Sequence, residues 1–118
     1  MTLVTKIIDT AEEMMELGGR IAGKVVPPFC IHLTGQIGAG KTTFARGFLK
    51  AMGISGAVKS PTFTLVETYS RGDIKVNHLD LFRIESTREL EFIGFDDYLD
   101  SKSILLIEWP ESVSGCLP

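Results

Sequence analysis

The stretch Gly35-Gln36-Ile37-Gly38-Ala39-Gly40-Lys41-Thr42 constrains this chain more than any other. It follows an apolar run, Phe29 to Leu33, and precedes a segment whose Phe44, Phe48, Leu49 and Met52 share one helical face. A strand that turns through glycines into a helix brings successive backbone N–H groups, and the positive end of the helix dipole, to one point. Such a point holds a polyphosphate. The spacing G-x-x-x-x-G-K-[ST] adds Lys41, able to reach the β- and γ-phosphates, and the Thr42 hydroxyl, able to ligate Mg2+. The plainer alternative is a glycine-rich turn with an incidental Gly-Lys-Thr, but the strand before it and the helix after it are the context the phosphate loop requires.

The remainder of the chain bounds what such a loop serves. A length of 118 residues predicts one domain with its own core. A formal net charge of −3 gives no basic footprint for nucleic acid, so any RNA in the biology is expected to be held by a partner. Cys30 and Cys116 offer neither a C-x-x-C pair nor metal-ligand spacing and read as a buried small hydrophobe and an ordinary thiol. Asp9, Glu12, Glu13 and Glu16 interrupt any apolar leader, and no run is long enough to span a bilayer. The expectation is a cytoplasmic protein without a membrane partner.

Periodicity places the elements. Thr2 to Ile8 alternates weakly, as a short strand would. Thr10-Ala11-Glu12-Glu13 reads as a capping box opening a helix with Met14, Leu17, Ile21 and Val25 on one face, stopped by Pro27-Pro28. Phe29 to Thr34 is nearly continuous in apolar character, as in a strand covered on both faces, with His32 a packed or hydrogen-bonded strand residue. Gly53 and Gly56 end the helix after the phosphate loop. Thr62 to Tyr69 and Ile74 to Asp80, joined by Ser70-Arg71-Gly72-Asp73, predict a β-hairpin, which sets the Ser60-Pro61-Thr62 turn where nucleotide hydrolases keep switch segments. Ser86-Thr87-Arg88-Glu89 is a second capping box, its helix closed by Gly94, and Phe95 to Leu99 is another short helical piece in which Asp96 and Asp97 read as a solvated helix end.

Hydrolysis needs more than a phosphate loop. An acidic residue at the end of a neighbouring buried strand must fix Mg2+ and order water. Ile104 to Ile107 followed by Glu108 meets that requirement, with Glu in place of the commoner Asp. Asp80 ends the hairpin's return strand in His78-Leu79-Asp80-Leu81-Phe82-Arg83 and is either a second carboxylate for Mg2+ or the attacking water, or a structural strand-end acid.

Gly35 to Thr43, Val58-Lys59-Ser60-Pro61-Thr62-Phe63-Thr64-Leu65-Val66, His78 to Arg83, Glu91-Phe92-Ile93-Gly94 and Ile107-Glu108-Trp109-Pro110-Glu111, in this order, resemble the TsaE family, bacterial P-loop ATPases of tRNA threonylcarbamoyladenosine formation. The resemblance runs from about Thr10 to Pro118. It implies an α/β fold: a P-loop NTPase-like three-layer α/β/α domain with a central, mostly parallel sheet and an inserted β-hairpin. It implies an ATPase that is slow alone and drives turnover of a complex of the TsaB and TsaD proteins, meeting tRNA only through that complex. The implied cofactors are ATP and Mg2+. The implied metal ligands are Thr42 and Glu108, and the implied catalytic residues are Asp80, Glu108 and Thr43. The nucleotide contacts are expected at Gly35, Gly38, Ala39, Gly40, Lys41, Thr42 and Thr43, with Thr10, Thr62 and Trp109 beside them. Ser60 to Thr64 would form a switch-like loop. Family members usually continue past the position of Pro118 with further strands, so residues 1–118 are expected to be one ATPase domain lacking the last strands of the sheet.

Three rival readings share the phosphate loop. A small nucleoside or nucleotide kinase needs clustered arginines for its acceptor, whereas Arg20, Arg46, Arg71, Arg83 and Arg88 are dispersed. A GTPase needs a guanine-reading motif; Asn77-His78-Leu79-Asp80 imitates one, but without a preceding Asp-x-x-Gly and too early in the chain. A nucleotide-dependent scaffold, in which hydrolysis is incidental, uses the same binding residues.

Overall fold

Thr10 begins the first helix because its hydroxyl accepts the Glu13 backbone N–H at 3.1 Å, satisfying one of the donors a helix start leaves unpaired. The Glu13 carboxylate reaches back to the Asp9 N–H at 3.4 Å. Helix α1 then spans Ala11–Ala22. It stops short of the expected Val25, because Gly23 caps it; Val25 nevertheless packs against the core. These elements come from a computed structural model that describes residues 5–35, 39–54, 65–92 and 94–111. Residues 5–9 form no strand, so the expectation at Thr2 to Ile8 fails over its described part: a strand there would need a pairing partner, and the segment has none in the sheet.

Strand β1 (Phe29–Leu33) runs into the phosphate loop, and helix α2 (Lys41–Ala51) leaves it. Gly40 occupies the N-cap of α2 with φ 99°, a left-handed conformation that a side chain at this position would oppose. Helices α1 and α2 lie against each other at close range. A Cβ at Gly47 would stand 2.1 Å from the Met15 carbonyl oxygen, and one at Gly18 would stand 2.2 Å from that of Phe44. Two glycines facing the partner backbone are therefore what allows this approach.

Strands β2 (Val66–Arg71) and β3 (Ile74–Asp80) form the expected antiparallel hairpin, and β4 (Ser103–Glu108) inserts between β3 and β1. Among the described residues the order is β1-β4-β3-β2, with β4 parallel to both neighbours. Every residue of β4 is buried, as its unbroken apolar run requires. The same expectation for β1 is only half met. Among the described residues it has one paired edge, and Phe29 and His32 are exposed.

The two faces of the sheet carry separate cores. Val76, Ile104 and Leu106 pack with Phe44, Phe48 and Leu49 of α2 and with α1, whereas Leu79, Leu105 and Ile107 pack with Leu90 of α3 (Thr87–Phe92) and with Phe95 of the short 3-10 turn Phe95–Tyr98. The result is the three-layer α/β/α arrangement with a mostly parallel sheet. In it, Asp96 and Asp97 are solvent-exposed. No helix among the described residues is long and apolar enough to cross a membrane.

The sheet register decides where chemistry can gather. Leu33 and Asp80 both pair with Glu108, from opposite sides, so β1, β3 and β4 end together. In an open parallel sheet, ligands bind outside the carboxyl ends of such strands.

Candidate functional site

Lys41 opens α2 at this carboxyl edge. Its ammonium donates to the Gly35 carbonyl oxygen at 2.6 Å and lies 3.6 Å from the centroid of the Trp109 ring. The cation is thus stationed at the mouth of the phosphate loop, largely shielded from solvent. Trp109 itself follows β4 with φ 58°, a left-handed conformation uncommon for a large side chain. Its N–H donates to the Leu33 carbonyl oxygen at 3.3 Å, so the strained residue is tied to the end of β1. Phe82 lies against the indole, with ring centroids 5.0 Å apart and planes inclined at 59°.

Strand alternation sets the carboxylates on the α2 side of the sheet. Val76, His78 and Asp80 of β3, and Ile104, Leu106 and Glu108 of β4, share the face packed by α2. Asp80 is fixed by the turn that follows it: its Oδ1 accepts the Phe82 N–H at 3.0 Å. Leu81 N–H donates to the Glu108 carbonyl oxygen at 2.9 Å, joining that turn to the end of β4. The Glu108 side chain has a different partner. His78 Nε2–H donates to its Oε2 at 2.5 Å, with both side chains buried.

The other expected residues fall around this centre. Thr42 and Thr43 occupy the first turn of α2, both half-buried. Ala39 and Gly40 precede them. Thr10 caps α1 one turn before Met14, whose Cε would meet a Cβ on Gly40 at 3.0 Å, so the start of α1 adjoins the loop. The structure therefore brings together Gly35, Ala39, Gly40, Lys41, Thr42, Thr43, Asp80, Glu108 and Trp109. Gly38, Thr62 and the rest of Ser60 to Thr64 lie outside the described residues, as does Cys116.

Two participants were not legible as site residues. In the sequence, His78 and Phe82 stand only as members of the run His78 to Arg83, with no role of their own. The signal for His78 was its position two residues before Asp80, which puts both on one strand face; its meaning depended on β4 being the next strand. The guanine-reading imitation dissolves here, because Asn77 sits inside β3 with its Oδ1 accepting from the Thr68 hydroxyl at 2.9 Å. Cys30 is half-buried beside a 590 Å³ recess lined also by Phe29, Ser103 and Leu105 at the amino ends of β1 and β4, and burial pushes its thiol up to about 11.

The donors at the carboxyl edge are all hard oxygens. Two carboxylates and a threonine hydroxyl fit Mg2+, which takes few protein ligands and completes its shell with phosphate and water. Among the described residues no group of three or more His, Cys, Asp and Glu forms an all-protein metal cage.

Comparison with known proteins gives the family and the fold. Residues 8–118 match the family model described as "Threonylcarbamoyl adenosine biosynthesis protein TsaE". A Haemophilus influenzae protein named as tRNA threonylcarbamoyladenosine biosynthesis protein TsaE is 41% identical over 100% of this chain and 78% of its own length. A Bacillus subtilis protein of the same name is 36% identical, over 91% of this chain and 66% of its own length. The crystal structure of Bacillus subtilis YdiB superimposes with a TM-score of 0.77 at 30% identity, covering 94% of this chain and 67% of that one. The chain thus spans about two thirds to four fifths of these relatives.

Proposed function

The chain belongs to the TsaE family of threonylcarbamoyl adenosine biosynthesis proteins, and we propose that its part in that pathway is the Mg2+-dependent hydrolysis of ATP. The observation that carries this reading is the convergence of Lys41, Asp80 and Glu108 at one sheet edge. Phosphoryl transfer is largely a matter of positioning and charge stabilisation, and these residue types supply both.

In this reading Lys41 exchanges the Gly35 carbonyl and the Trp109 ring for the β- and γ-phosphates. The N–H groups from Ala39 to Thr43 cradle the same phosphates with the dipole of α2 behind them. Thr42 and Glu108 would hold the divalent ion, which when bound would neutralise charge on the phosphate oxygens. Asp80, anchored by the Phe82 N–H, would orient the attacking water and take its proton. Thr43 helps to orient the reacting groups, and Thr10, Thr62 and Trp109 border the nucleotide.

Hydrolysis in a cytoplasmic protein of this kind would drive turnover of a complex of TsaB and TsaD, with tRNA held by that complex. The net charge of −3 supports indirect contact with RNA. The test is ATP turnover by this chain alone and with the TsaB–TsaD pair. The expected result is slow phosphate release that the pair accelerates, with phosphate going to water. Transfer to a nucleoside acceptor would replace this reading with a kinase.

A further inference from the structure

We propose that His78 is a positioning residue for Glu108: its Nε2–H fixes Oε2 and so presents Oε1 to the divalent ion. The inference deepens the proposed function and rests on it. Its starting point is the 2.5 Å hydrogen bond between the two side chains, which are 0% and 5% exposed.

The location argues against a purely structural histidine. His78 lies where the apolar part of this sheet face, Val76, Ile104 and Leu106, gives way to the carboxylates Asp80 and Glu108, and it is paired in register with Leu106. An aliphatic side chain would fill this place without burying polar atoms. Moreover, His78 Nδ1 is buried and has no hydrogen-bond partner among the described residues. The ring therefore carries a desolvation cost on one side, while its other nitrogen is committed to Glu108. Such an arrangement is intelligible if holding that carboxylate is the ring's task.

Glutamate is also the residue that needs holding. Its three side-chain torsions are free unless something fixes the carboxylate, and the entropy of fixing it would otherwise be lost when the ion binds. Asp80, one methylene shorter, is fixed separately by the Phe82 N–H. Each carboxylate at the carboxyl edge thus has its own donor, one from the backbone and one from His78. Donors behind a ligating carboxylate set its orientation and contribute to metal affinity.

The test compares His78→Leu, which removes the donor, with His78→Gln, whose amide can donate from nearly the same place. The readout is the Mg2+ concentration giving half of the Trp109 fluorescence change at saturating ATP, beside ATP affinity in EDTA. His78→Leu should raise the Mg2+ requirement by about 10- to 100-fold while leaving Mg2+-free ATP affinity unchanged, and His78→Gln should recover most of the loss. A folded His78→Leu protein with an unaltered Mg2+ requirement overturns the proposal. A second measurement needs no folded variant at this position. His32 and His78 are the two histidines of the chain, so imidazole resonances of 15N-labelled protein are assignable with His32→Gln. The His78 Nε2–H should resist solvent exchange both without ligand and with Mg-ATP. Its loss on adding Mg-ATP would mean that the bond breaks when the ion binds, which also overturns the proposal. Failure of the wild-type protein to bind ATP at all would instead overturn the nucleotide site itself.

Discussion

Lys41 and Trp109 hold each other across the ends of β1 and β4, the ammonium 3.6 Å from the indole centroid. A phosphate that recruits Lys41 must draw it away from both the ring and the Gly35 carbonyl. An ammonium over an indole is worth about 0.5–2 kcal/mol, depending on how far the pair is desolvated. On the proposed function, ligand binding at the loop would therefore be coupled to the environment of one aromatic ring.

That coupling makes tryptophan emission a report on the site. Trp109 is the sole tryptophan, so the signal has one source. Emission should shift and saturate as Mg-ATP is added, through loss of the cation and altered contact with Phe82. A flat titration under conditions where ATP is bound by another measure would contradict the exchange of Lys41 from ring to phosphate.

Lys41→Ala should weaken ATP binding by about 1.5–3 kcal/mol, roughly 10- to 150-fold, the scale of a hydrogen bond to a charged group. The helices should persist, since Lys41 holds the loop and Trp109 and is not a member of either apolar core. Circular dichroism and calorimetric titration of the variant check the two halves of this statement.

Helix packing yields a prediction of opposite signs for two glycines. A Cβ at Gly47 would stand 2.1 Å from Met15 O and 2.6 Å from Met15 Cα, both backbone atoms that cannot yield without separating α1 from α2. Gly47→Ala should lower stability by about 1–3 kcal/mol or more, despite alanine's better helix propensity. A Cβ at Gly19 would meet Ala51 Cβ at an ordinary 3.5 Å. Gly19→Ala should raise stability by about 0.5–1 kcal/mol, because only the propensity term remains. Urea midpoints of the two variants decide the matter.

What could be read from the sequence divides along physical lines. The phosphate loop, both capping boxes, the hairpin and the buried run ending in Glu108 are local patterns, in which spacing alone carries the geometry. Long-range order is different. That β4 enters between β1 and β3, opposing Asp80 and Glu108, depends on pairing between segments far apart in the chain. His78 became legible only with that pairing, since nothing local says which strand it faces. The exposure of His32 likewise follows from the place of β1 at the edge of the described sheet, not from its apolar composition.

Cys30 should be slow to alkylate. Burial raises its thiol from 9.0 to about 11, so the reactive thiolate is scarce at neutral pH and grows only as pH approaches the higher value. In a Cys116→Ser background, iodoacetamide at pH 8 should modify the native protein on the order of 10²-fold more slowly than the urea-unfolded chain, reflecting the thiolate fractions. The native rate should continue to climb with pH beyond the point at which the unfolded rate levels off. Equal rates in the two states would contradict the burial of this strand residue.

The central claim is that one sheet edge divides its labour, with Lys41 and the loop backbone binding phosphate and Asp80 and Glu108 acting on the reaction. Single-turnover hydrolysis of ATP by Asp80→Ala, measured beside its ATP affinity, tests this division most directly. Affinity should stay within about three-fold of the wild type while hydrolysis falls by on the order of 10²-fold or more, the scale of losing a positioned acid–base group. Glu108→Ala should show the same fall together with a weakened Mg2+ dependence of binding. Hydrolysis at the wild-type rate by a folded, ATP-bound Asp80→Ala protein would contradict the account and leave Asp80 as a carboxylate that only closes the turn after β3.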